Sequence, residues 1–433
     1  MATEAEKEKD VIENDEVALP TEALVMGEAA ERVAVASQWQ LMWWRFRKHR
    51  PAVISLVVIV AFYFVAIFAG FFAPKTSDPS VLQTPNYTPP GYTHQSEYVN
   101  APPMPIHWFD NGAFAPYVYA FKKTRDPDTL VETFTVDPDT KIRLGFFVRG
   151  DKYQVGLHDT PLCPPEWSSH AICRVLNPVL GFVKSIHFTS EVHFFGPINP
   201  EDPFYPVGAD EVGRDLLSRL IYASQISLSI GLVGVILTLI LGILLGGLSG
   251  LVGGWVDNLI QRSIEVLRAI PDIPLWMALA IAMPPKLDPV FVYFGITIIL
   301  SLLRWTDMAR VVRGKFLSLR EEDYVTAAKL DGVPRRRIIM RHMVPSFLSH
   351  IIAAMTLSIP GMILGESALS FLGIGLRPPV VSWGVMLNKA INVVVVISKP
   401  WQLLPGLAIF ITILAFNFLG DGLRDAADPY HHA

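Results

Sequence analysis

Gly314-Lys315 is the nearest this 433-residue chain comes to a phosphate-cradling loop. It lacks both the upstream glycine and the following Ser or Thr of G-x-x-x-x-G-K-[ST], so no Walker A site for ATP is expected. H-E-x-x-H and G-x-S-x-G are absent too, which weighs against an intramembrane enzyme. Six of the eleven histidines (His94, His107, His158, His170, His187 and His193) fall between 74 and 207, and none pairs with another at the i,i+4 spacing of helical metal ligands. No metal site and no catalytic residue are therefore expected. What remains is a charged loop ending at Pro345 and three charges beside long apolar runs: Arg214, Asp215 and Glu366.

The loop reads Arg320-Glu321-Glu322-Asp323-Tyr324-Val325-Thr326-Ala327-Ala328-Lys329-Leu330-Asp331-Gly332-Val333-Pro334. Acids at 321–323 suit a helix N-terminus, and Gly332 with Pro334 ends that helix and starts another. Ala327 and Ala328 offer a small surface on which a partner could sit close. The physical reading is a helix–turn–helix knuckle suited to docking a protein. An ordinary positively charged loop is the alternative.

Apolar runs must hold these groups. Residues 51–73 carry no charge over 23 positions, enough to cross a bilayer core of about 30 Å. Further runs at 226–252, 272–284, 289–305, 346–366 and 403–423 bring the expected spans to six. The first begins too late for an ordinary cleaved leader and reads as a retained helix. Charged residues make up only 18% of the chain and the balance is −4, so nothing suggests nucleic acid as a partner.

Arg45, Arg47, Lys48 and Arg50 precede the first span and predict a cytoplasmic N-terminus. The segment Arg310 to Arg341 holds nine Lys/Arg against four Asp/Glu, which predicts the same side, and six spans place it there. Residues 74–207 and 367–402 then lie outside, and the C-terminus is cytoplasmic. Residues 1–37 carry ten Asp/Glu against three Lys/Arg and read as a disordered, solvated tail.

Residues 74–207 hold 19 of the 34 prolines and no spanning run. Segments 130–136, 142–148 and 153–157 alternate like strands, with Asp137-Pro138-Asp139-Thr140 as a turn between the first two and Asp126-Pro127-Asp128-Thr129 repeating it earlier. A small β-rich domain is expected. Cys163 and Cys173 both lie here; an oxidising compartment permits a bond between them, and two free thiols are the alternative. Gly242, Gly246, Gly250 and Gly254 line one helical face and allow another backbone to approach closely. Trp383 and Trp401 suit interfacial anchoring.

Tyr324-x-x-Ala327-Ala328-x-x-x-Gly332 followed by His342-x-x-Pro345 resembles the EAA loop of ABC importer permeases. In detail it is similar to the dipeptide/oligopeptide/nickel branch, in its second (C-type) permease. Three further stretches carry the resemblance: Gly208 to Arg219, Gly365 to Gly375 and Gly420 to Pro429. Together they cover about 45–73 and 208–430. Phe147-Val148-Arg149-Gly150-Asp151 and His193-Phe194-Phe195-Gly196 resemble a long-insert subset that includes permeases of the microcin C and murein-peptide type. Two positions depart from the pattern. Thr326 stands where the EAA loop has Glu, and Ser224-Gln225 where many relatives have a small residue and Arg.

The resemblance implies an all-α polytopic membrane protein with six transmembrane helices and the type I ABC importer permease fold, with a β-rich extracytoplasmic insertion between helices 1 and 2. It implies an acidic cytoplasmic tail (1–44), a first helix (45–73), the insertion (74–207) and a five-helix core (208–430) whose coupling loop spans 310–345. It implies a bacterial inner-membrane location and import of peptides or similar small solutes. The partners would be a homologous second permease, two ABC ATPase subunits carrying ATP and Mg, and an extracytoplasmic solute-binding protein. Asp323, Tyr324, Ala327, Ala328, Gly332, His342 and Pro345 would contact the ATPase, while Arg214, Asp215 and Glu366 would serve structure or gating. An ion-driven secondary transporter and a non-transporting scaffold are the competing classes. The first would work without ATP, and few charges inside the spans speak against it.

Overall fold

The computed structural model describes residues 38–76, 96–125, 127–128, 132–155, 188–284, 289–378 and 380–427. The acidic segment 1–37 and both cysteines lie outside the described residues. The chain is mostly helical. Helix α1 (Gln38–Lys48) leads into α2 (Arg50–Ile67), where Pro51 sits at the start and His49 Nδ1 accepts from the Ala52 N–H at 3.2 Å. Then come α3 (Leu216–Val252), α4 (Gly254–Ala269), α5 (Asp272–Ile281), α6 (Pro289–Leu319), α7 (Asp323–Leu330), α8 (Leu348–Phe371), α9 (Trp383–Leu387) and α10 (Leu404–Ala427).

Among the described residues five helical stretches are long and apolar enough to cross a membrane: Arg50–Ile67, Leu216–Val252, Phe291–Leu319, Val344–Phe371 and Pro400–Ala427. The expected third span, 272–284, is a helix of only 10 residues, too short to cross by itself. The expected runs 226–252, 289–305, 346–366 and 403–423 each fall inside a longer helical stretch, whereas 51–73 is broken: α2 ends at Ile67 and a short helical turn, Ala69–Phe72, follows.

Contacts fix the direction of each helix. Ser229 meets Tyr293, Ser301 Oγ donates to the Gly234 carbonyl at 3.0 Å, Gly242 faces Met308 and Gly250 faces Phe316, so α3 and α6 run parallel. A side chain at Gly246 would collide with the Ala309 backbone, so the glycine face does bring two backbones together. Gly254, expected on that face, instead opens α4 with nothing near it. α2 and α8 oppose α3, through Gln225 Nε2 on the Ala66 carbonyl (2.9 Å) and through Gly231 on Ile363. α10 crosses α8 at Gly420–Leu357 and α2 at Gly422–Ala52. His49, Gly253, the segment 320–347 and the end of α10 thus share one end of the bundle.

The described residues of the insertion form a four-stranded antiparallel sheet in the order β1 (His107–Asp110), β2 (Ala113–Arg125), β3 (Glu132–Val155), β4 (Phe188–Pro197). The expected turn at Asp137–Thr140 does not separate two strands. It bulges out of the single strand β3, where Tyr119 pairs Lys141 but Phe121 already pairs Val136. Pro138 has no N–H for the ladder, and Asp137 takes up the strain locally, accepting from Thr140 Oγ1 at 2.9 Å. Arg125 pairs Glu132 across the β2–β3 hairpin, and Asp126 and Thr129 of the expected earlier turn lie outside the described residues. Trp383 is no interfacial anchor: it is 2% exposed inside the bundle, its Nε1 donating to the Leu220 carbonyl at 3.1 Å.

Candidate functional site: an exposed knuckle and the groups that brace it

Helix α7 begins at the expected acids, although Glu322 at its cap makes no side-chain capping bond. Its end is a tight glycine turn. Gly332 has φ +71°, and the Val333 N–H reaches back to the Ala328 carbonyl at 3.1 Å. A left-handed residue there redirects the chain without steric cost only if it lacks a Cβ.

The faces of α7 divide sharply. Val325 and Ala328 are buried against Val312, Phe316, Ile338, Ile339, Met343 and Phe347. Asp323, Tyr324, Ala327, Leu330 and Gly332 are exposed, Leu330 by 84%. The expected joint surface of Ala327 and Ala328 therefore does not form: Ala327 faces out while Ala328 seats the helix. Leu330 takes the place on the exposed face, and a lone leucine among charges was its only sequence signal. After Pro334 the chain runs through a wide helical turn at Ile338–Met343, which includes His342, and a tight one at Val344–Phe347, with Pro345 exposed. Lys329 Nζ donates to the Arg320 carbonyl at 2.9 Å and ties α7 back to α6.

Three ion pairs join α4 and α5 to α6. Asp257 meets Arg313, Arg268 meets Asp307, and Arg304 Nη2 lies 3.9 Å from Asp272. Their numbers converge as an antiparallel pair requires, and Met283 against Gly295 completes the series. Sequence reading passed over these groups, since each is a lone charge on an otherwise apolar or amphipathic helix; complementary charges at reversing spacing were the available signal.

Glu366 is fully buried on α8. One oxygen accepts from Ser370 Oγ at 2.8 Å and Ser382 Oγ at 2.7 Å, the other from Ser227 and Ser367 at 3.4 Å. Ser227 in turn accepts from the Trp383 N–H at 3.1 Å and Ser382 from the Val385 N–H at 3.2 Å. One carboxylate thus binds α3, α8 and α9 together. The serines carry no signal of their own in sequence.

Arg214 and Asp215 do not pair with each other. Arg214 Nε donates to Asp210 at 2.8 Å, while Asp215 caps α3 by accepting from the Ser218 N–H at 2.7 Å. Burial pushes Asp215 up to about 6, against hydrogen bonds from Ser218 and the charge of Lys75. Burial pushes Lys75 down to about 8, opposed by Asp215 and Asp151. The two long-insert stretches meet here as strand partners, Phe146 opposite Phe195 and Val148 opposite His193. Asp151 accepts from the Thr76 N–H at 2.9 Å, and His193 Nδ1 lies 2.6 Å from the Ala73 carbonyl, so this pair fastens the sheet to the segment 73–76 that follows the first span. Among the described residues no cluster could hold a metal ion.

Comparison with known proteins agrees with this layout. Residues 220–430 match the family described as binding-protein-dependent transport system inner membrane component, and residues 37–103 match the N-terminal TM domain of oligopeptide transport permease C. The dipeptide transport system permease protein DppC of Bacillus subtilis is 39% identical over 224 residues, 51% of this chain and 68% of that protein. The oligopeptide transport system permease protein OppC of Escherichia coli K12 is 41% identical over 223 residues, 51% of this chain and 71% of the relative. That of Haemophilus influenzae is 39% identical over 223 residues, 51% and 69% respectively.

Proposed function

The chain belongs to the family of binding-protein-dependent transport system inner membrane components, and on that premise we propose that it forms half of a pore importing peptides or similar small solutes. It is a permease subunit of an ABC importer, of the C type, and not the ATPase. A binding protein outside and ATPase subunits inside are its partners as a class. In this reading the other half of the pore is a homologous second permease, and two ATPase subunits hold the ATP and Mg.

The exposed row Tyr324, Ala327 and Leu330 carries the proposal. These side chains stand on a helix whose opposite face is locked into the chain's own core. A push on that row is transmitted to α6 and α8 rather than absorbed by a loose loop. ATP then drives transport to the extent that the closed ATPase pair favours one pore conformation over the other.

Six crossings belong to the same reading. α3 and α6 run parallel, so the chain between them must return through the bilayer. α4 has 16 residues and α5 has 10, together roughly 39 Å of helix at 1.5 Å per residue, which is enough. The basic residues at 45–50 and 310–341 then put both termini and the knuckle in the bacterial cytoplasm, and the sheet outside. The boundaries 1–44, 45–73, 74–207 and 208–430 follow, with the coupling loop at 310–345.

A mild-detergent purification from native membrane tests this. A second permease and Walker-A ATPases should come with the chain, hydrolyse ATP, and be lost or uncoupled by a bulky residue at Gly332. A chain that emerges alone at every detergent strength would leave the ion-driven and scaffold classes.

A further inference from the structure

Along the α3–α6 pair Arg304 is level with Thr238, between the Gly234–Ser301 and Gly242–Met308 contacts. That is about 6 Å past the midpoint of α3 and about 9 Å before Arg310 along α6 at 1.5 Å per residue, so the guanidinium lies within the spanning part of the bundle, towards its knuckle end. Its side chain is 33% exposed, and those of Asp272, Arg268 and Asp307 are 51%, 44% and 54% exposed. Charges at this depth are expelled from lipid and face protein or water. This side of the hairpin therefore borders the aqueous path.

The chemistry of the spot is that of an acceptor-seeking site. Arg268 and Asp307 satisfy each other. Arg304 reaches Asp272 only at 3.9 Å, beyond hydrogen-bond range, and its Nε is buried with no partner. Trp276 lies under the guanidinium, 5.6 Å from ring centre to Cζ, and its own Nε1 is also a buried donor with no partner. Gly361 on α8 gives the guanidinium its clearance, since a Cβ there would stand 3.3 Å from Cζ. A cavity of about 180 Å³ opens beside it, lined among others by Leu267, Pro271, Asp272 and Arg304.

We propose that Arg304 is a substrate-contact residue of the translocation path, binding the carboxylate of a passing peptide while Asp272 serves as its resting counter-ion. The planar fork matches a carboxylate in two parallel hydrogen bonds, and the loose Asp272 contact yields to it. The inference rests on the peptide-importer reading above.

The test uses the whole importer in proteoliposomes with its binding protein. Uptake of one tripeptide is compared with that of its C-terminally amidated form, each corrected for its affinity for the binding protein. The wild type should favour the free acid by about ten- to a hundred-fold. Arg304→Gln should bring that preference close to one, Arg304→Lys should keep part of it, and Gly361→Ala, which displaces the fork but not the charge, should lower it. Arg262→Gln, on the exposed face of α4, should leave it unchanged. No preference in the wild type, or an undiminished one in both Arg304→Gln and Gly361→Ala, would overturn the assignment. If the wild type imports neither peptide although its partners are present, the peptide reading itself fails.

Discussion

The guanidinium of Arg313 closes on both oxygens of Asp257, each at 2.6 Å, and so locks the start of α4 to the end of α6. Ser249 Oγ and Gln261 Nε2 join the same cluster. The knuckle leaves α6 only a few residues further on, so this fork sets the base from which it projects. Arg313→Lys keeps the charge but loses the two-pronged geometry. It should lower stability by about 1–3 kcal/mol, read as a reduced Tm in detergent. Asp257→Asn should cost a similar amount, and the double variant less than the sum. Full additivity would mean that the fork contributes nothing beyond its separate parts.

At Gly332 the space around an added Cβ is empty, so a substitution acts through the backbone alone. Gly332→Ala should cost about 1 kcal/mol, and Gly332→Asn less, since Asn tolerates the left-handed region. Transport-coupled ATPase activity should follow the order Gly, Asn, Ala. Equal coupling in all three would show that the turn geometry is not limiting.

Leu330 and Val325 separate docking from folding. Leu330→Ser removes an 84% exposed side chain and should leave Tm within about 0.5 kcal/mol equivalent, while ATPase co-purification drops. Val325→Ala opens the fully buried seat and should cost about 1–2 kcal/mol of stability. Loss of the ATPase only with Val325→Ala would shift the contact away from the exposed row.

Glu366 can be tested by its shape as an acceptor. Glu366→Gln retains one carbonyl oxygen for the close serines and should be tolerated better than Glu366→Ala. The alanine variant strands the hydroxyls of Ser370 and Ser382 without their acceptor and should cost about 1–3 kcal/mol. Thermal unfolding of the two variants side by side decides the point.

Asp215 gives a pH signature. Its folded value of about 6 lies above the ordinary 3.8, so the folded chain binds the extra proton first. Stability from this group is present below about 4 and is lost as pH rises through 6. Lys75, lowered from 10.5 to about 8, contributes above 10.5 and loses that contribution as pH falls through 8. The Tm difference between wild type and Asp215→Asn, which keeps the cap, should therefore move in favour of the wild type from pH 7 to 4.5. A flat difference over that interval would remove burial of the charge as the cause.

The spans containing 51–67, 226–252 and 403–423 were legible because apolar length has one interpretation in a bilayer. α4 with α5 was not, because a helix whose charges are paired to a neighbour no longer looks like a span. β3 was read as three strands, 130–136, 142–148 and 153–157, because Pro138 and the irregularity between Arg149 and Tyr153 mark breaks in local pairing, yet pairing resumes beyond each with the same partner. Among the site residues, Gly332 followed from local turn chemistry and Tyr324 from the resemblance to the EAA loop, while Arg304 and the serines around Glu366 were invisible. Nothing local distinguishes a serine that caps a carboxylate from one that faces solvent.

The sequence by itself determined the five long apolar helices, the knuckle's boundaries and the positive flanks, since each depends on neighbours within a few residues and on the contrast between lipid and water. Tertiary structure alone decided which face of α7 is free, that Ala328 is buried while Leu330 is exposed, and that Arg304 lies beside Asp272. Those outcomes depend on the direction and register of helices far apart in the chain. They are set by the close approach of α3 and α6 at Gly246 and by pairings such as Asp257 with Arg313, which no local window contains.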